Sequence, residues 1–414
     1  MTLPATPTVT IRFGDGPGFG RPLILGDATD GLLGTNQLAT STASFVTVPD
    51  VQEIAVNRGR DDIFGHYNAG SATIRFLDKN GEWNPNYAAG PYYGKIRPLN
   101  KIQITVVYSS TTYYLFSGYV QSYDYDFQIK PNYPTVTIQA EDGFRLLALN
   151  NIQTVSDATA GDTTAQRLID ILTAASWPTS LQNIGTAETT VQADPGNERS
   201  GLAACQQMED AELGAFFMAR DGKATFFSRT ALGLKAATAL GSRAQFSDAT
   251  GAAHPYQILD FSYDDQDLTN DVIVTREGGT EQQATNQSSI DKFYRRTLNR
   301  SGLLLQTDSQ ALSQANAILN YRDDVELRVD AVGGDIAVSS QATIDSLNLE
   351  LCDPIYVRKA AAAGPAIEAN LLVGSISHQI TPSQWVTVFG TYKPLSTAFI
   401  LGSSSFGILG TSTL

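Results

Sequence analysis

The residues of this chain best suited to chemistry are three histidines, two cysteines and a few runs of carboxylates. Their spacing assembles no familiar site. His66, His254 and His378 show neither the HxH nor the HExxH spacing that brings two imidazoles onto one zinc ion. His378, within Ser377-His378-Gln379, reads as a barrel-edge residue rather than a base. Cys205 and Cys352 sit in apolar surroundings outside any CxxC pair, and read as small core residues. A glycosidase needs two carboxylates facing each other across a sugar. Neighbours such as Asp61/Asp62 or Glu209/Asp210/Glu212 do not establish that, and Glu209 and Glu212 fit a solvated helix face. The run Gly14–Gly20 lacks the GxxxxGK[ST] and GxGxxG patterns, and Pro17 removes an N–H that a phosphate would need. Asp78-Lys79-Asn80-Gly81-Glu82 begins like a calcium loop but lacks the rest, and Asn80-Gly81 reads as a hairpin turn. No GxSxG elbow is present. The expectation is a protein without catalytic, cofactor or metal site.

Composition points the same way. There are 28 Lys and Arg against 42 Asp and Glu, a formal net charge of -14. A nucleic-acid-binding surface needs basic residues to displace counterions, so that class is disfavoured. Two readings of the acidity stay open: an ordinary soluble surface, or one that repels DNA sliding past it. The start, Met1 to Pro7, has neither the basic nor the apolar part of a signal peptide, and no apolar run approaches a membrane span. Folding in a cytoplasm is expected.

The elements that would position these residues are mostly strands. Residues 1–44 read as an extended arm of short apolar pieces between glycines. Residues 45–150 read as a barrel-like β domain, with Val51 to Val56, Ala72 to Leu77, Lys101 to Val107, Tyr113 to Phe116 and Thr135 to Ile138 separated by turn residues. Residues 151–257 read as an α/β middle domain. Thr163 with Gln166 forms a capping box ahead of Ala165, Leu168, Ile169, Leu172 and Ala175 at helical spacing. Ser200 caps a second helix that Gly214 closes, and a hairpin turning at Asp221-Gly222 follows. Residues 258–395 return to strands as a second barrel-like domain, interrupted by a helix at about 308–321. Residues 396–414 form a C-terminal arm.

Two internal echoes stand out. Phe116-Ser117-Gly118-Tyr119-Val120 followed by Thr135 to Ile138 matches Leu372-Val373-Gly374-Ser375-Ile376 followed by Val386 to Phe389. Duplication of one barrel-like unit and chance alternation both account for it. The second echo joins the arms: LILGDATDGLLGTNQL at 23–38 and FILGSSSFGILGTSTL at 399–414. Ile24, Leu25, Leu33 and Leu38 recur as Ile400, Leu401, Leu409 and Leu414, with Gly26, Gly31, Gly34 and Thr35 also repeated. These eight apolar residues are the candidate partner-docking residues, in peptides suited to adding to a sheet edge.

The segment Arg58–Pro98, with Ala72-Thr73-Ile74, Asn80-Gly81-Glu82-Trp83-Asn84-Pro85 and Tyr92-Tyr93-Gly94-Lys95-Ile96-Arg97-Pro98, resembles phage minor tail proteins. Leu115-Phe116-Ser117-Gly118 is similar to one of their strands. Ala203 to Arg229 resembles the middle domain of tail hub proteins, and Leu371–Pro394 their final strands. Cys352-Asp353 departs from the Gly-Asp expected there. The resemblance spans most of residues 45–395. It implies a mainly β fold of two related barrels with a small α/β insertion, three copies of which form a pseudo-sixfold ring around a DNA channel. The implied partners are its own copies (a homotrimer), the distal tail protein ring, the tape measure protein and tip or fibre proteins, with DNA passing through unbound. The place is the tail tip of a virion assembled in a bacterial cytoplasm. The alternatives are a distal tail ring protein, a receptor- or glycan-binding tip module using Tyr92, Tyr93, Tyr113, Tyr114, Tyr123 and Tyr125, or a cell-wall hydrolase.

Overall fold

The computed structural model describes residues 3–13, 44–60, 62–127, 133–238, 244–361 and 363–395. Its main feature is a 13-stranded sheet. In chain order its strands are β1 (Pro7–Phe13), β2 (Ser44–Thr47), β3 (Val51–Gly59), β4 (Asn68–Leu77), β5 (Lys101–Tyr108), β6 (Thr111–Asp126) and β7 (Thr135–Glu141). They continue as β8 (Ala244–Ser247), β9 (Ile258–Ser262), β10 (Arg328–Asp335), β11 (Pro354–Lys359), β12 (Ile367–Thr381) and β13 (Gln384–Tyr392). The strands form because apolar and polar residues alternate, which sends every second side chain to one face. Val9, Ile11 and Phe13, Ala72, Ile74 and Phe76, Ile102, Ile104 and Val106, and Val136, Ile138 and Ala140 are all buried in one core around Trp83.

The mainly β class with an α/β insertion is therefore present, but the expected pair of barrels is not found as such. The strands run as one sheet, β9-β10-β13-β12-β3-β4-β7-β6-β5-β1-β2, with β11 on β12 and β8 on β11. Among the described residues no pairing closes either half into a barrel.

Two five-stranded units of one topology lie within that sheet. β5-β6-β7-β4-β3 and β11-β12-β13-β10-β9 have the same antiparallel neighbours in the same chain order. In each, one long strand serves two hairpins, pairing early with the strand before it and late with the strand after it. Details match to the residue. Val120 accepts from Leu99 N at 2.7 Å and donates to Asn100 O at 2.9 Å, while Val373 accepts from Cys352 N at 2.8 Å and donates to Asp353 O at 2.9 Å. Leu99 and Cys352 share a φ of 65°. The register slips by one immediately after Val120 and after Val373. Val120 thus corresponds to Val373, and Gly374 to Gln121. Aligning Gly118 with Gly374, as the sequence echo does, is three residues out. The left-handed φ at Cys352 is also why glycine is the residue expected there.

The α/β part packs on one side of the joined units. Helix Thr164–Ala174 carries the expected capping box, and Ser200 caps helix Gly201–Glu212. The left-handed cap is Leu213, not Gly214, its side chain held by burial. A small sheet of Ala215–Met218, Ala224–Phe227 and Gln182–Ile184 follows. A second α/β layer, strands Gln282–Thr285, Asp271–Arg276 and Thr297–Leu303 under helix Asp308–Arg322, is inserted between β9 and β10. With the rest of the α/β part and the second unit it forms a core separate from the one around Trp83, and Gln314 donates to Ala211 O. No helix among the described residues is long and apolar enough to cross a membrane.

Asn80-Gly81 makes no hairpin, since the next strand after β4 begins at Lys101. The Asp78 carboxylate instead accepts from Glu82 N at 2.9 Å and Trp83 N at 3.1 Å. This turn drops Trp83 onto Phe13, Phe76 and Tyr92. Burying an indole gains more than an isolated hairpin could.

Candidate assembly interface

The two units meet where β3, an outer strand of the first, lies along the second half of β12. Six register pairs run from Ile54↔Ile380 to Gly59↔Ser375. Ile54 and Val56 with Ile380 and His378 are buried on one face. On the other, Ser377 Oγ donates to Asn57 Oδ1 at 2.8 Å. Gly59 has a φ of +133°, and a Cβ there would lie 2.3 Å from Ser375 Cα, so the close approach requires glycine.

Next to the junction, Arg58 of β3 and Arg60 just beyond its end reach into the α/β layer. Arg58 donates to Glu350 Oε1 at 2.7 Å and to Met218 O at 2.8 Å. Arg60 donates to Gly65 O and Gly214 O and lies over the rings of Tyr67 and Tyr392. Glu209 faces Arg60 at 3.9 Å and accepts from Phe216 N at 3.0 Å. Burial pushes the Glu209 carboxyl up to about 7, although Arg60 and the Phe216 bond pull it down. Glu212 is buried as well, accepting from Thr164 Oγ1 at 2.7 Å. The solvated face expected for Glu209 and Glu212 is therefore incorrect. Arg60 and Thr164, which face them, are remote in sequence.

His378 is likewise no edge residue. β12 is paired on both sides there, and the ring is buried against Thr387 Oγ1 at 2.9 Å. Burial, then Arg58 and Arg220, lowers its pKa to about 3, leaving a neutral core imidazole. His66 instead meets Asp210 at 3.0 Å on the α/β layer. Cys205 and Cys352 are buried free thiols, as their apolar surroundings suggest. A groove of about 290 Å³ at the ends of β10, β12 and β13 is rich in carboxylates, several held by Arg328: Asp264 at 2.9 Å, Asp267 at 3.6 Å and Asp330 at 3.9 Å.

The tyrosines considered for a sugar-binding platform are largely used in packing. Tyr92 rests on Phe13 and Trp83, Tyr123 accepts from Asn100, and Tyr113, Tyr123 and Tyr125 pack on the core, whereas Tyr93 and Tyr114 are exposed. The docking candidates Ile24, Leu25, Leu33, Leu38, Ile400, Leu401, Leu409 and Leu414 lie outside the described residues.

No protein-family model and no curated protein sequence matches the chain. Solved structures do. The tail protein from Neisseria meningitidis MC58 superposes with a TM-score of 0.56 at 10% identity, over 85% of this chain and 95% of that one. The 43 kDa tail protein of prophage MuSo2 from Shewanella oneidensis gives 0.55 at 11%, over 94% and 99%. The fold is that of phage tail proteins. A PdpA–VgrG complex matches this tail-protein fold at 0.50 and 10% identity, over 96% of this chain and 66% of that one. Both tail proteins are matched almost end to end, so the duplicated sheet and the α/β layer together are the shared fold.

Proposed function

We propose that the chain is a structural, non-enzymatic protein of the phage tail tip, a tail hub. Three copies form a ring around the DNA channel. The ring joins the sixfold tail and its distal tail protein ring to a threefold tip or fibre, with the tape measure protein as a further neighbour. The observation that carries this reading is the duplication: two units of one topology per chain, within a tail-protein fold, give six equivalent units from three chains. A closed ring built from a non-self-complementary contact needs such equivalence. The net charge of -14 suits a wall along which DNA slides without sticking. The division into arms at 1–44 and 396–414, units in 45–150 and 258–395 and a middle domain at 151–257 belongs to this proposal, except that Pro7–Phe13 is a strand of the main sheet and not part of an arm.

Light scattering on a size-exclusion column tests it. A trimer mass is expected, and a stable hexamer would move the chain to the distal tail ring. The repeated arm peptides are proposed to dock on a sixfold neighbour. Deleting 399–414 is expected to weaken docking to that ring by tenfold or more while leaving the trimer mass unchanged. Loss of the trimer itself would refute that role.

A further inference from the structure

The junction within the chain implies a matching junction between chains. β3 has a counterpart in β9, because each is the outer strand paired to the equivalent strand, β4 or β10. Following the register through β7 and β13, Ile54 corresponds to Leu259 and Ala55 to Asp260. β10 bulges at Asp330, and counting on along β9 past that bulge pairs Val56 with Phe261 and Asn57 with Ser262. The second half of β12, which receives β3, has its counterpart in the second half of β6: Ser377 corresponds to Asp124, His378 to Tyr125, Gln379 to Asp126 and Ile380 to Phe127. Within the chain one donor strand and one acceptor edge are joined. The other pair is open. Among the described residues β9 ends the sheet, with β10 on one side only. β5 pairs with β6 only as far as Tyr119, so beyond Val120 the described structure places no strand on that edge of β6.

We propose that β9 of one copy adds antiparallel to the open edge of β6, at about residues 122–127, of a second copy, in the register by which β3 adds to β12. The partner is another copy of this chain, and the inference rests on the ring reading. An uncovered strand edge presents unpaired N–H and C=O groups and invites such addition. Side chains support the register. In the internal junction Ile54, Val56, His378 and Ile380 are all buried. Their counterparts are incompletely covered: Leu259, Phe261 and Tyr125 are half-buried, and Phe127, stacked on Tyr125 at 5.7 Å, is 61% exposed. The transferred register sets Phe261 against Tyr125 and Leu259 against Phe127, covering all four. On the opposite face Ser262 meets Asp124, a hydroxyl and a carboxylate where the internal junction has Ser377 and Asn57. Asp260 meets Asp126, a like-charge pair that disfavours association. The two contacting edges are different surfaces, so the contact is heterologous. Alternating internal and intermolecular junctions close after three chains when one of each together turns the chain by a third of a full circle.

The test is a cross-link between separately made chains. Ser262→Cys protein mixed with Asp124→Cys protein is expected to give a disulfide-linked dimer under mild oxidation, and neither alone should. The double variant Ser262→Cys/Asp124→Cys is expected to yield species of up to three linked chains. Asn57→Cys/Ser377→Cys in one chain is the positive control and should give an internal bridge without raising the mass. The native thiols Cys205 and Cys352 are buried and stay out of the reaction. Asp260→Asn is expected to shift the monomer–trimer midpoint to concentrations several-fold lower. A trimer by light scattering with no cross-link in the mixture would overturn this junction and leave the ring reading standing. A monomer with no cross-link would overturn both. Linked species that grow past three chains would overturn the closure.

Discussion

Replacing Arg60 by methionine is expected to destabilise the protein by about 3–5 kcal/mol at pH 8, because it leaves the buried Glu209 carboxylate without its countercharge. The cost should shrink towards pH 5. In the folded protein Glu209 titrates near 7, above its usual value, so between pH 4.5 and 7 the folded state holds a proton that the unfolded state has released. Stability contributed by this group therefore falls as pH rises through that window and levels off above it. Without Arg60 the folded pKa moves higher, and the fall continues above pH 7 at up to about 1.4 kcal/mol per pH unit. Asp142, whose carboxyl burial also pushes up to about 7, adds a slope of the same sign in both proteins and drops out of the comparison. Urea unfolding of both proteins between pH 5 and 9 reads the difference. Adding Glu209→Gln to Arg60→Met should flatten the alkaline limb. Equal midpoints for wild type and Arg60→Met at pH 8 would show that the pair does not hold the α/β layer to the sheet.

The second large effect is expected at Gly59. Alanine there combines a φ of +133° with a Cβ placed 2.3 Å from Ser375 Cα and 2.5 Å from Gly374 O. Neither obstacle is a flexible side-chain tip, so β3 and β12 must part. Backbone strain and overpacking each cost about 1–3 kcal/mol, which together put the loss at about 3 kcal/mol or more. Gly65→Ala is the control, since its nearest neighbour would lie at an ordinary 3.4 Å and its φ is not left-handed. The two variants should differ by several degrees in thermal midpoint. A Gly59→Ala protein as stable as the Gly65→Ala protein would mean that the junction can open without cost to the fold.

Local features were legible in the sequence because they depend on near neighbours. The strand Asp271–Arg276, the capping box at Thr163 and Gln166, the hairpin turning at Asp221-Gly222 and the helix from Asp308 follow from alternation, spacing and turn chemistry alone. What could not be read depends on distant partners. Glu209 becomes a core residue only because Arg60 arrives from far away in the chain. Duplication was visible as an echo, but matching Gly118 with Gly374 sets it three residues off, and the bulges after Val120 and Val373 that mark the true register leave no trace in the pattern. Gly118 and Gly374 look alike and serve different ends. A Cβ on the first would strike Glu141 O, while the second sits in the bulge beneath Tyr392. Pro7–Phe13, read as part of an arm, is a strand on β5, since its alternation is too short to distinguish the two.

The way β3 lies along β12 also has a mechanical meaning. No flexible tether connects the units there; six consecutive residue pairs do. A pull directed along the strands loads those hydrogen bonds together, in shear, whereas a pull across them opens the seam from one end, one bond at a time. The molecule is therefore stiff along one axis and can be peeled along another, and the direction in which force reaches it decides whether it holds.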